Sequence, residues 1–305
     1  MIIVYCFIGS LPEYALHTVY QMRLFYKGTI YFIVSDIESA YINILKTYDV
    51  TIINYTDVTD NEFITTVNDN HHRFLIVNGL VGREKIFIYS FERFFLLHQL
   101  MKKYDLSDVL FLELDNLIYD DPRKWVEEFS KNELCYMFDN YDRSSSGLMY
   151  VKKPSSLDGF LEYSMKYITN STEFLNEMTC LYRYYMEQSN NNTKINNSVS
   201  ILPTYWNDNE IPNMAHMNYG KYEDSIFDAI GIGTQLLGID TFHSNGVLTT
   251  GLKSYWSAID YRQQKFEWKI CDNGFKKPFV WNGEKWLLIN NLHVHSKDLI
   301  NGLSV

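Results

Sequence analysis

The sequence predicts an α/β fold of three layers, α/β/α, with a mostly parallel, Rossmann-like central sheet and a C-terminal β-hairpin. Three observations carry this expectation. Apolar runs and helical patterns alternate as strand, helix, strand, helix, strand from Ile2 to Asn54, the order that builds parallel sheets with right-handed crossovers. A further buried strand, Val109 to Leu114, ends among carboxylates, as strands do at the ligand-binding edge of an open α/β sheet. Near the end of the chain, Phe279 to Ile289 alternates around Asn282-Gly283, a hairpin signature.

Taken in order, Ile2 to Ile8 is a buried strand broken by Gly9. Ser10-Leu-Pro-Glu13 reads as a capping box that starts a helix running to about Phe25, stopped by Lys27-Gly28. Thr29 to Val34 is the next strand, Ser35-Asp36 caps a helix over 37–47, and Val50 to Asn54 is the third strand. A short helix over Glu62 to Val67 and a polar loop at His71-His72 follow. Ser90 to Tyr104 carries Phe91, Phe94, Phe95, Leu97 and Met101 at helical spacing. After the acidic strand, Pro122 sits in the first turn of another helix, and Leu134 to Phe138 and Leu148 to Val151 are strands. Two helices fill 155–188, Asn190 to Ser198 is an Asn-rich loop, and Ser225 to Leu237 is a short helix closed by Gly238.

Composition narrows the function. Of the 305 residues 46 % are hydrophobic, enough for a full core, and the formal net charge is −10, which argues against a duplex nucleic acid partner. Four widely spaced cysteines without a CxxC pair read as reduced thiols of a cytoplasmic protein and offer no zinc cage. The opening apolar run lacks a basic leader and is about one strand long, so it reads as neither a signal peptide nor a membrane span.

The chemistry concentrates in two segments. In Val109-Leu-Phe-Leu-Glu113-Leu-Asp115-Asn116, two carboxylates two residues apart share one face if the strand continues. Two hard oxygen ligands suit Mn²⁺ or Mg²⁺ with substrate phosphates; alternatively, Asp115 caps the next segment. In Asn291-Leu-His293-Val-His295-Ser-Lys297, two imidazoles alternate on one side of an extended segment. They could add a nitrogen ligand, and Lys297 offers a compact cation for phosphate oxygens. The two segments together point to a shared site for a metal and a diphosphate.

Phe111-Leu-Glu-Leu-Asp-Asn116 resembles the DxD signature of glycosyltransferases with the GT-A fold, and His293-Val-His-Ser-Lys297 resembles the C-terminal metal-binding His and phosphate-binding Lys of several such enzymes. The likeness is to small viral and bacterial glycosyltransferases and runs from the first strand to that tail. Glu113 replaces the first Asp of the signature, so Asp115 carries over more safely. The resemblance implies one domain over 1–305, with a nucleotide-binding half at 1–120 and an acceptor half with the metal-binding tail at 121–305. It implies a metal-dependent, hexosyltransferase-like enzyme that takes a sugar from a nucleotide-sugar donor, UDP-sugar favoured, to a hydroxyl of a glycan or other acceptor. Glu113, Asp115, His293 and His295 would hold the metal. In similar enzymes a cation on the helix before the acidic strand reaches the diphosphate or sugar, the place of Arg93, near the expected Ser90 start.

The nucleoside is expected over the end of the first strand, at Phe7, Ile8 and Gly9, with Ser35 at the end of the second. If the reaction inverts the anomeric centre, a carboxylate must deprotonate the acceptor hydroxyl. Asp228, among apolar neighbours in Ile226-Phe-Asp-Ala-Ile230, is the first candidate and Asp139 the second. Two other readings stay open. One is a nucleotidyl- or phosphoryl-transferase on the same strand end, weakened by the lack of a GxxxxGK[ST] loop; the other is a carbohydrate-binding protein without catalysis.

Overall fold

A computed structural model of the chain describes residues 1–74, 84–140, 142–190, 199–206, 215–238 and 259–305. Seven strands form the central sheet: β1 (Ile2–Phe7), β2 (Ile30–Val34), β3 (Val50–Asn54), β4 (Val109–Leu112), β6 (Leu134–Asn140), β7 (Arg143–Val151) and β8 (Val199–Leu202). Their order is β3-β2-β1-β4-β7-β6-β8. Pairing is parallel except where β7 runs antiparallel to β4 and β6. The C-terminal ends of β1, β2, β4 and β6 and the start of β7 therefore share one edge.

Alternation along the strands builds the two flanking layers. Val109 and Phe111 of β4 enter one buried cluster, beneath α3 (Asn61–Asp69), α4 (Glu84–Lys103), α6 (Ser155–Asn170) and α7 (Glu177–Asn190). Leu110 and Leu112 enter the other, beneath α1 (Tyr14–Phe25), α2 (Tyr41–Thr47) and α5 (Val126–Phe129). The expected three-layer α/β architecture with a mostly parallel sheet is thus the one observed.

Two smaller sheets complete the C-terminal part. β5 (Asn116–Ile118) pairs antiparallel with β13 (Asn291–His293). A four-stranded sheet has the order β10-β11-β12-β9, formed by β10 (Phe266–Ile270), β11 (Lys276–Trp281), β12 (Trp286–Ile289) and β9 (Ser225–Ile226). The expected hairpin is β11–β12. Its loop spans Asn282 to Lys285, because the Asn282 side chain accepts from the Glu284 and Lys285 amides and Gly283 takes a φ of +101°.

Several expectations about helix starts are corrected. No capping box forms at Ser10 to Glu13: α1 begins at Tyr14 without a side-chain cap. Asp36 does not cap α2, which begins at Tyr41; its carboxylate accepts from the Leu11 amide and ties the loop after β1 to the end of β2. α4 begins at Glu84 rather than Ser90, which puts Arg93 in mid-helix. Ser225 to Leu237 is β9, a bend at 227–230 and α8 (Gly231–Leu237), since Ser225 and Ile226 pair with Leu288 and Ile289. His71-His72 begin a 3₁₀ turn that seats Phe74 in the core.

One polar contact locks the C-terminus to the centre. The fully buried Gln21 amide on α1 donates to the Ile118 carbonyl and to Ser304 Oγ, and accepts from the Ser304 amide. Gln21→Ala leaves these buried groups unsatisfied and is expected to cost about 1–3 kcal/mol for each group that finds no water. Urea denaturation read by circular dichroism measures it; an unchanged midpoint would show the clamp to be dispensable.

Candidate active site

The acidic segment is not the straight strand that its spacing suggested. β4 ends at Leu112; the Glu113 amide still donates to the Gly147 carbonyl at 2.9 Å, and then the chain turns, with the Asn116 amide donating to the Glu113 carbonyl at 3.1 Å. Glu113 and Asp115 are brought together by this turn. Asn116 then starts β5, whose ladder with β13 sets His293 directly opposite Asn116. Two segments about 180 residues apart therefore meet because one short antiparallel pair aligns them.

Glu113, Asp115 and His293 form a group that could hold a metal ion, their ligand atoms all within 4.8 Å of one another. His293 Nε2 lies 3.4 Å from Glu113 Oε2 and 3.3 Å from Asp115 Oδ2. Its Nδ1 meets the Ala229 carbonyl at 2.9 Å, which fixes the proton on Nδ1 and leaves the Nε2 lone pair toward the carboxylates once the ring is neutral. Two oxygen donors and one oriented imidazole fit a hard divalent cation. His295 is not in this group: β13 ends at His293, and the His295 ring sits 5.8 Å from the His293 ring, centroid to centroid.

Two cations lie on the carboxylates. Lys297 pairs with Asp115, and Arg93 pairs with Glu113. Arg93 also donates to Ser146 Oγ at 2.8 Å and approaches Glu177 Oε1 at 3.3 Å, so α4, β7 and α7 are joined at its guanidinium. Burial would raise the Asp115 carboxyl, but the charges of Lys297 and His293 hold it well below the ordinary carboxylate range. Burial disfavours a charged His293, yet Asp115 and Glu113 overcome it and raise the imidazole to about 9.

Asp228 is fully buried, and its carboxylate accepts from three backbone amides: Ile232 at 2.8 Å, Gly233 at 2.7 Å and His293 at 2.9 Å. It joins the start of α8 to β13. Burial still raises its carboxyl above the ordinary value, against those three hydrogen bonds. A Cβ on Gly233 would lie 2.1 Å from the His293 carbonyl oxygen, so only glycine permits this approach. Asp139, near the end of β6, is 5 % exposed and faces Arg143 at 2.9 Å. Burial lifts its carboxyl to about 7, with Arg143 and His293 opposing.

Phe7 and Gly9 lie at the same sheet edge, with Ile8 between them. Gly9 turns the chain at φ +119°, and its amide donates to Ser35 Oγ at 2.8 Å, so these residues adjoin the end of β2. Sequence reasoning missed two groups. Glu177 opens α7 and is 8 % exposed beside Arg93; its carboxyl is raised by burial, with Arg93 opposing. The Thr18 hydroxyl donates to the Leu114 carbonyl, which ties α1 to the acidic turn, and the Tyr14 phenol at the start of that helix is raised by burial and then by the charges of Asp115 and Glu113.

Buried Asn116 Nδ2, Arg93 Nε, Ser144 Oγ and Asp139 Oδ1 have no hydrogen-bond partner among the described residues. All belong to the elements that converge on this edge.

No protein-family model matches the chain, and no curated protein matches it. Solved structures do. Apo mouse xyloside xylosyltransferase 1 is similar at 14 % identity, with a TM-score of 0.46, over 66 % of this chain and 84 % of that one. The galactosyltransferase LgtC, in complex with donor and acceptor sugar analogues, is similar at 13 % identity, with a TM-score of 0.42, over 61 % and 70 %. A putative glucose-1-phosphate thymidylyltransferase from Bacillus anthracis is similar at 13 % identity, with a TM-score of 0.32, over 61 % and 83 %. Among the described residues no helix is long and apolar enough to cross a membrane.

Two outcomes follow from this geometry. His293→Ala is expected to lower Mn²⁺ affinity at least about tenfold in titration calorimetry, and His295→Ala to lower it far less; equal losses would place both rings on the metal. In metal-free protein, protonated His293 contributes stability that is complete below its ordinary value of 6.5 and is lost as pH rises through about 9. Because a ligating imidazole must be neutral, Mn²⁺ affinity should rise across that same window. A flat affinity between those limits would remove His293 from the metal.

Proposed function

We propose that the chain is a metal-dependent glycosyltransferase of the GT-A kind, moving a sugar from a nucleotide-sugar donor, UDP-sugar favoured, to a hydroxyl acceptor. The observation that carries this reading is the Glu113, Asp115 and His293 group with Lys297 beside it, at the edge of an open, mostly parallel sheet. Such an edge is where α/β sheets take nucleotides, and a donor set of two carboxylates and one imidazole suits Mn²⁺ or Mg²⁺.

In this reading Glu113, Asp115 and His293 hold the cation, which would neutralise charge developing on the leaving diphosphate. Lys297 meets a phosphate oxygen. Phe7, Ile8, Gly9 and Ser35 border the nucleoside, where Gly9 allows close backbone approach. Arg93, fixed by Glu177 and Ser146, supplies positive charge beside Glu113. Asp139 is the candidate base: a buried carboxyl lifted to about 7 is poised for proton transfer near neutrality. Asp228, with both oxygens engaged by backbone amides, is assigned to holding His293 rather than to the acceptor proton.

Thermal unfolding with UDP, GDP, CDP and ADP, each with Mn²⁺ and with EDTA, tests the reading. A ligand at about 100 times its Kd adds roughly 2.7 kcal/mol. A rise with one nucleotide that vanishes in EDTA supports the donor site and names its base; no rise with any of them sinks it. Asp115→Asn should fold normally and lose most turnover, since one metal ligand and the partner of Lys297 go together. For Asp139, wild-type turnover should increase as pH rises through about 7, because a base must first lose its proton. In Asp139→Asn that limb should disappear along with most of the rate; an unchanged limb assigns it to another group.

A further inference from the structure

The two cations on the acidic pair are held in different ways. Arg93 is 13 % exposed and shared among Glu113, Glu177 and Ser146, so losing one partner leaves it two others. Lys297 is 39 % exposed, and its ammonium meets Asp115. It stands in the left-handed backbone region at φ +63°, where its amide donates to the Val294 carbonyl at 3.1 Å, while the Val294 amide is fixed to the Asp115 carbonyl at 2.8 Å. The base of the side chain is thus anchored beside Asp115, and its long stem reaches solvent.

Asp115 Oδ2 is contested. Lys297 Nζ and His293 Nε2 both approach this one oxygen, with His293 at 3.3 Å. An oxygen that ligates a divalent cation cannot keep an ammonium in contact on the same side, since the two positive charges repel at short range. Arg93 need not leave when a cation arrives, because Glu177 retains it. Lys297 must.

We propose that Lys297 is an exchangeable counter-ion: it occupies Asp115 in the metal-free protein, is expelled when a divalent cation binds, and then takes the diphosphate, so that metal and nucleoside diphosphate bind cooperatively through this one side chain. The proposal rests on the metal and diphosphate reading above and assigns Lys297 the coupling within it. Lys297 is a positioning residue for the metal-free state and a ligand only afterwards. Its two tasks pull in opposite directions: before the metal binds it opposes the metal, and afterwards it holds the nucleotide. Coupling of this kind is reciprocal, so the cation must raise diphosphate affinity by the same factor that diphosphate raises cation affinity.

Lys297→Met tests this, because it keeps the length of the stem and the non-glycine backbone while removing the charge. In calorimetry with Mn²⁺ alone, the variant should bind the cation about two- to fivefold more tightly, the scale of a half-exposed ion pair. UDP affinity at saturating free Mn²⁺ should fall at least about fivefold, and the factor by which Mn²⁺ raises UDP affinity should shrink accordingly. Lys297→Arg should restore both. Weaker or unchanged Mn²⁺ binding by Lys297→Met, or an unchanged coupling factor, overturns the exchange while leaving the donor site standing. Failure of the wild type to bind UDP with Mn²⁺ overturns the donor reading, and the exchange with it.

Discussion

The cost of burying negative charge governs the arrangement at the sheet edge. Asp115, Asp139, Glu177 and Asp228 are each 8 % exposed or less, and all are carried by elements that meet there. An isolated buried carboxylate is strongly disfavoured, so each needs a local solution, and the four solutions differ. Asp228 takes three backbone amides. Glu177 takes part of a guanidinium. Asp115 takes an ammonium and an imidazole. Asp139 has Arg143 and keeps its proton up to about 7. The fold around the site is in large part the set of elements needed to deliver these partners.

The same constraint explains why the C-terminal segments lie where they do. β13 is three residues long, too short to be stable as a pair with β5 alone. It is held by Asp228 at the His293 amide and by Asn291. The Asn291 side chain accepts from the Asp228 amide and donates to Asn116 Oδ1 and the Asp228 carbonyl. Glycines let these parts close up. Gly233 admits the His293 carbonyl, and a Cβ on Gly147 would meet Asn116 Nδ2 at 2.7 Å and His293 Nδ1 at 3.1 Å. Close approach at Gly147 makes room for the His293 imidazole and the Asn116 amide.

The sheet was legible because period-two burial is a local signal: Val109 and Phe111 face one layer, Leu110 and Leu112 the other. The acidic pair was legible as residue types and not as geometry. A strand would have set Glu113 and Asp115 on one face, whereas a turn at the end of β4 brings them together, and no pattern in Glu-Leu-Asp-Asn distinguishes the two. The tail histidines were equivalent in sequence; only the β5–β13 register separates His293 from His295. Asp228 was chosen for its apolar neighbours, and it is buried. Its partner amide at His293 lies 65 residues away, and that contact makes it a structural anchor rather than an open carboxylate. Nothing local marks Glu177, an ordinary acid in the first turn of a helix until α4 brings Arg93 to it. Helix starts were misjudged for a related reason: Asp36, a good cap by type, is taken by Leu11 across the strand ends.

These solutions also divide the site into fixed and exchangeable parts. Backbone amides cannot leave Asp228 without dismantling α8 and β13, so the His293 backbone is firmly held. Arg93 has two carboxylates and a hydroxyl, so the loss of one partner leaves it two others. On the proposed reading, Lys297 and the Asp139 proton can leave at little cost to the fold, since Lys297 is 39 % exposed and Asp139 takes up its proton near neutrality. They stand at the same edge, Lys297 in the segment after β13 beside the acidic turn and Asp139 on β6. On the proposed reading, transfer from a diphosphate to a hydroxyl uses positive charge on the leaving side and a proton acceptor on the attacking side. On that reading Lys297 and Asp139 would supply one of each.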